Sequence, residues 1–240
     1  MEFYSNIAEA YDELFPFNEK QLLFVEKALG GQLAQKSILD MGCGTGSLAI
    51  AMARRSAKVR AFDFDEKMIE KAEEKRPQAL DLKFQQGDIN LISDDYSAIQ
   101  FDSILCLGNT LVHLDEQADV LKLFWNIKKQ LNPGGKFIFQ IVNYDRIVKD
   151  QIDHLPTIES GDYTFKRDYF HRRDGKIGFV TSLMYKGNVV SDNEVFLQPL
   201  LKEWLEQPLT ELFSKVDFFG GFDRSEWKPD SFHLVVEATL

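Results

Sequence analysis

Cysteine is nearly absent. Cys43 and Cys106 are the only two in 240 residues, too few for a disulfide framework and without Cys or His neighbours at metal-ligand spacing. No metal site is expected, and a reduced, cytoplasmic setting fits. Long apolar runs are also missing: none reaches the length of a membrane span, and Met1-Glu2-Phe3-Tyr4-Ser5 is neither basic nor followed by the apolar stretch of an export signal. Basic charge is in deficit, with 28 Lys and Arg against 38 Asp and Glu for a net charge of −10. That balance argues against nucleic acid or a membrane surface as partner. The one basic stretch, Lys166-Arg167 with His171-Arg172-Arg173, reads as a solvated hairpin tip in preference to a binding patch. Repeats and low-complexity tracts are absent too. What remains is an ordinary globular composition, 44% apolar and 28% charged, and a length that buries a core in one domain.

Apolar spacing organises the chain. From about residue 5 to 29, Ile7, Ala8, Tyr11 and Leu14, then Leu22, Leu23, Val25 and Leu29 beyond Pro16, recur at helical intervals and predict two helices ended by Gly30-Gly31. The spacing then predicts a strand over 37–41, a helix over 46–54, a strand over 58–63, a helix over 66–76, strands over 82–87 and 101–107, a helix over 115–131 and a strand over 136–142. Strands alternating with helices define an α/β doubly wound sheet. After Asn143 the pattern changes: Tyr163 to His171 and Lys176 to Lys186, joined across Arg173-Asp174-Gly175, read as a β-hairpin. A helix over 201–215 and strands near 216–221 and 231–239 complete the chain.

Chemistry concentrates where the first strand meets its helix. Asp40-Met41-Gly42-Cys43-Gly44-Thr45-Gly46 is a glycine turn leading into a helix, where backbone N–H groups face a ligand and positive φ or close approach excludes a Cβ. Asp63 closes the second strand, at the position where a nucleoside ribose would receive hydrogen bonds. A dinucleotide fingerprint places its third glycine at the sixth position of the turn, where this chain has Ser47. The pattern is instead D-x-G-x-G-x-G.

In this motif the chain resembles the class I S-adenosylmethionine-dependent methyltransferases. The resemblance covers roughly residues 37–142 and implies a Rossmann-like sheet that ends in an antiparallel hairpin, with S-adenosylmethionine as cofactor. It divides the single domain into N-terminal helices (1–36), a cofactor-binding core (37–142), an inserted β-rich lid over the substrate (143–200) and a C-terminal completion of the sheet (201–240). It implies that Gly42, Gly44 and Gly46 follow the methionine part. Asp40 would orient that loop or reach the ammonium, and Asp63 would hold the ribose. Phe64 and Met68 would flank the adenine, Asp88 would take the adenine amino group, and Ile89 would pack on the ring. Tyr11 resembles a tyrosine that covers the cofactor, with helix packing as the equal alternative. Asp88 alone also reads as a turn residue or helix cap.

Two further segments resemble the glycine/sarcosine N-methyltransferase branch: Cys106-Leu107-Gly108-Asn109-Thr110-Leu111-Val112-His113-Leu114, and Asn143-Tyr144-Asp145. The resemblance places Leu107 and Gly108 on the cofactor, and His113, Asn143 and Tyr144 at the methyl-transfer pocket of a small-molecule acceptor. His113 reads either as a general base or as a structural residue; Tyr144 and Asp145 read equally as a turn and a helix cap. The reaction expected is in-line methyl transfer to an amine. The alternatives are O-methylation of a small metabolite, an NAD-dependent oxidoreductase, or a non-catalytic S-adenosylmethionine-binding protein.

Overall fold

A computed structural model describes residues 6–92, 96 and 98–240 of the chain. The start of the expected N-terminal helices, through Ser5, lies outside the described residues. Two short helices, α1 (Tyr11–Leu14) and α2 (Glu19–Ala28), come first. The alternating core follows: β1 (Ser37–Met41), α3 (Ser47–Arg54), β2 (Lys58–Asp63), α4 (Glu66–Lys75), β3 (Leu82–Gln86), β4 (Phe101–Cys106), α5 (Gln117–Gln130) and β5 (Leu131–Val142). The chain ends with α7 (Lys202–Leu212), β10 (Lys215–Phe219) and β11 (His233–Thr239).

The main sheet has seven strands in the order β10-β11-β5-β4-β1-β2-β3. Six run in the same direction, and β11, between β5 and β10, lies antiparallel to both. The carboxyl ends of β1 and β4 are adjacent where the strand order reverses, which is where open α/β sheets leave a crevice. Strands β1 and β4 are buried on both faces, as a parallel sheet covered by helices requires. Phe124 of α5 packs on Phe137 and Phe139 of β5, and these three and Phe101 are fully buried, each contributing roughly 1.5–3 kcal/mol by burial.

Between β5 and α7 lie α6 (Tyr144–Lys149) and a separate antiparallel sheet, β6 (His154–Ser160), β7 (Tyr163–His171), β8 (Ile177–Tyr185) and β9 (Asn188–Leu197), in sequential order. The hairpin expected over 163–186 is β7–β8. Its flanking strands β6 and β9 and the short helix α6 were not expected. One boundary also differs: β5 begins at Leu131, paired with Phe101, instead of at 136. The register shifts between Phe101 and Ser103, so Asn132-Pro133-Gly134-Gly135 is accommodated as an irregularity within the strand.

Gly46 belongs to this packing. It is the N-cap of α3 at φ 77°, and a Cβ there would enter the Phe84 ring and come within 3.0 Å of the Ala72 side chain. Gly46→Ala is therefore expected to cost roughly 1–2 kcal/mol in backbone strain and roughly 1–3 kcal/mol in overpacking. An unchanged denaturation midpoint would show that neither contact constrains the turn.

Candidate active site

Two cavities adjoin at the carboxyl ends of the parallel strands, one of about 440 Å³ and one of about 480 Å³. Tyr11, Gly42, Leu107 and Gly108 line both. The first is walled by Gly44, Asp63, Phe64, Met68, Asp88 and Ile89, among others. The second lies between the core and the four-stranded sheet, and its wall includes Asp40, Gln140, Arg167, Tyr169 and His233.

The glycine turn is held by its neighbours on β2. Gly42 and Cys43 N–H both donate to the Phe62 carbonyl, at 2.8 and 3.0 Å. Gly44 N–H donates to Asp63 Oδ2 at 2.8 Å, and Asp65 N–H donates to the other oxygen at 3.0 Å. All three glycines take positive φ. A Cβ at Gly42 would lie 2.6 Å from Thr110, and one at Gly44 3.2 Å from the Tyr11 ring. Asp63 thus fastens the turn as well as facing the first cavity, a role its sequence position does not disclose.

Burial and the nearby Asp63 push the Asp40 carboxyl up to about 7, while burial also raises Asp63 against the pull of its backbone donors. Tyr11 roofs the turn, and burial with these carboxylates raises its phenol far above the ordinary value. Its segment is latched by Asp12, which accepts from Thr45 Oγ1 and Ser47 Oγ and pairs with Lys75 Nζ at 2.5 Å. Nothing in the sequence marks this latch, whose partners lie 33, 35 and 63 positions from Asp12.

At the far end of the first cavity, Phe64 is half exposed and Met68 fully buried. Asp88 caps the short 3₁₀ turn Ile89–Leu91 through one oxygen, accepting from Asn90 N at 2.8 Å and Asn90 Nδ2 at 3.0 Å. Its two readings coexist: it is a cap, and it lines the cavity.

Of the three residues expected at the acceptor, His113 lines one of the two cavities and Asn143 and Tyr144 line neither. Asn143 lines neither cavity; it is wholly buried, and its Nδ2 donates to the carbonyls of Lys228, Pro229 and Ser231. Its amide nitrogen clamps the loop before β11, while its buried Oδ1 has no partner among the described residues. Tyr144 is also wholly buried behind the wall, its hydroxyl accepting from Asn109 Nδ2 at 3.2 Å and bonded to Tyr169. His113 lies in the 3₁₀ turn Thr110–His113 and lines the first cavity, not the second. Burial lowers its pKa to about 4, which makes it a weak base at neutral pH.

Sequence reasoning missed Gln140, Arg167 and His233 in the second cavity's wall. Gln140 left a trace as the one polar residue in the run Phe137 to Val142. Arg167, grouped with a hairpin tip, is half buried in the cavity wall with its Nη2 donating to the Pro156 carbonyl and its Nε without a partner among the described residues. The tip itself behaves as expected: Arg172 pairs with Asp174 at 2.8 Å and stacks on Phe196.

The model of the methyltransferase domain matches residues 33–176, and the chain belongs to that family. It is 30% identical over 161 residues to a ubiquinone biosynthesis O-methyltransferase of Coxiella burnetii, covering 67% of this chain and 63% of that protein. With a glycine/sarcosine N-methyltransferase of Halorhodospira halochloris it shares 28% identity over 211 residues, 83% of this chain and 74% of the relative. The fold is that of an S-adenosylmethionine-dependent methyltransferase from Clostridium acetobutylicum, with a TM-score of 0.81 at 20% identity over 99% and 98% of the two chains. An amino pentose methyltransferase from Micromonospora echinaspora, solved with S-adenosylmethionine bound, matches with a TM-score of 0.67 at 17% identity, covering 92% and 90%.

Proposed function

We propose that the protein transfers a methyl group from S-adenosylmethionine to a small-molecule amine. One observation carries this reading: two cavities of ligand size meet at a rim of Tyr11, Gly42, Leu107 and Gly108, so that a cofactor in one and an acceptor in the other would touch only there. Relatives acting on nitrogen and on oxygen both support a small acceptor.

The first cavity suits the cofactor. Its glycine turn leaves room that a Cβ at Gly44 would take from the Tyr11 roof. Gly42 and Gly44 would carry the methionine part, its ammonium reaching across the shared rim to Asp40 in the wall of the second cavity, with Asp63 on the ribose hydroxyls and Phe64, Met68, Asp88 and Ile89 on the adenine. When bound, S-adenosylmethionine supplies a sulfonium methyl open to in-line displacement by a lone pair. The chain's own part is to hold the two ligands collinear and exclude water, effects that contribute roughly 7–11 kcal/mol.

An amine is preferred because it needs no strong base. Burial lowers both His113 and His233 and raises the phenols of Tyr11 and Tyr169, and Asp40 is committed to the cofactor ammonium in this reading. A hydroxyl acceptor is the second reading, supported by the O-methyltransferase relative. Asn143 and Tyr144 act as positioning residues, holding the loop before β11 and Asn109 behind the rim.

Calorimetry with S-adenosylhomocysteine and NAD tests the cofactor assignment. Micromolar binding of the first, about −8 kcal/mol, with no competition from NAD is expected; NAD binding in its place would restore the oxidoreductase reading.

Asp40 gives this binding a pH dependence. With a carboxyl pKa near 7, the free protein holds a proton there at pH 6 that the cofactor ammonium displaces. Affinity should therefore rise with pH up to about 7, by at most roughly tenfold per unit. Titrations at pH 6 in buffers of different ionisation enthalpy should show proton release; none would remove Asp40 from the ammonium. The unliganded fold shows the same shift with opposite consequence. It holds this proton where the unfolded chain, at an ordinary 3.8, does not, so Asp40 lowers stability as pH rises from about 4 to 7.

A further inference from the structure

The second cavity contains a hydrogen-bond chain with a fixed direction. Gly108 N–H, which can only donate, lies 3.0 Å from one terminal atom of the Gln140 side chain, so that atom is the amide oxygen. The other terminal atom is the amide nitrogen, a donor, and it lies 3.1 Å from His233 Nδ1. Nδ1 must then carry its lone pair toward Gln140, and in the neutral ring the proton sits on Nε2. Burial lowers the His233 pKa and keeps the ring neutral. Among the described residues Nε2 has no hydrogen-bond partner. The ring is held edge-on against Phe232, with centroids 4.7 Å apart.

Gly108, Gln140 and His233 all line the second cavity. Much of the remaining wall is apolar, including Leu155, Ile158 and Phe179. A neutral donor of fixed direction beside these apolar side chains discriminates, because a ligand without a matching acceptor leaves it unpaired.

We propose that His233 is a specificity residue whose Nε2–H, set by Gly108 through Gln140, selects a methyl acceptor bearing a neutral hydrogen-bond-accepting oxygen. This rests on the second cavity being the acceptor site of the methyltransferase read above. It assigns the substrate class as an amine that also carries a carbonyl, ether or hydroxyl oxygen. It also gives His233 a role opposite to a base: the ring donates a hydrogen bond and takes no proton.

The test is a long-range ¹H–¹⁵N spectrum of the full-length, ¹⁵N-labelled protein saturated with S-adenosylhomocysteine. His233 should show an unprotonated Nδ1 and a protonated Nε2, and acetamide, a neutral carbonyl probe, should shift the Nε2–H resonance saturably. Tetramethylammonium, which has no lone pair, should not. Gln140→Glu replaces the amide donor by an acceptor and should place a second proton on Nδ1. A proton on Nδ1 in the wild-type protein, or an Nε2–H indifferent to acetamide, overturns the assignment even where Gln140→Glu fails to fold. Failure to bind S-adenosylhomocysteine at all would defeat the methyltransferase reading and this inference with it. A wrong tautomer in a protein that binds it defeats the His233 assignment alone.

Discussion

Gly44→Val is expected to abolish S-adenosylhomocysteine binding, with a loss of roughly 100-fold or more, about 3 kcal/mol, while the fold survives. Gly44 sits at φ 55°, where a β-branched side chain is strained. Its new Cβ would lie 3.2–3.3 Å from the ring and hydroxyl of Tyr11, and the two further methyls of valine would meet the roof outright. To relieve that contact, either Tyr11 lifts, pulling against the Asp12 latch to Thr45, Ser47 and Lys75, or the turn withdraws from Asp63. Both movements open the first cavity. The strain itself costs roughly 1–2 kcal/mol, a fall in melting temperature of roughly 2–8 °C for a chain of this size. Binding lost together with a collapsed melting temperature would make the glycine a packing residue, as Gly46 is. Binding retained within twofold would remove the turn from the cofactor site.

Asp63→Ala has the second largest expected effect, and it should be felt in both stability and binding. Removing the carboxylate takes away the acceptors of Gly44 N–H and Asp65 N–H, and each buried donor left unpaired costs roughly 1–3 kcal/mol. The ribose hydroxyls would lose their partner in the same step, at a similar cost. Affinity for S-adenosylhomocysteine should therefore fall by roughly 10- to 100-fold or more in protein that is still folded, as far-ultraviolet circular dichroism would verify. Unchanged affinity in a folded Asp63→Ala variant would leave the carboxylate with only its structural role.

Much of this arrangement was legible because it is local. The alternation of strand and helix, the glycine turn beside Asp40, and Asp63 at the end of β2 are each set by residues a few positions apart. The lid strands show the limit. Strand β6 carries Pro156 and exposed polar residues, and β9 runs through Ser191-Asp192-Asn193-Glu194 with one face in solvent, so neither has a strong apolar period. At six residues, α6 is too short for one. The site was harder still to read where contacts join distant positions. Asn143 is spent on carbonyls 85 to 88 residues away, and the tautomer of His233 is set by a glutamine 93 residues away. A motif places such side chains near the site but does not say which way they turn. The motif therefore did not disclose that Asn143 is buried against those carbonyls, and His233 went unnoticed for the same reason.

The proposed activity is methyl transfer from S-adenosylmethionine to a small amine. The most direct measurement incubates the protein with S-adenosylmethionine carrying a trideuteromethyl group and a pool of small metabolites, and follows both products by mass spectrometry. The expected products are S-adenosylhomocysteine and a small amine bearing the label on nitrogen, both lost in Gly44→Val. Label on oxygen would establish O-methylation instead. Tight binding of S-adenosylmethionine with no acceptor-dependent S-adenosylhomocysteine and no labelled product would contradict the proposed activity and leave a cofactor-binding protein without it.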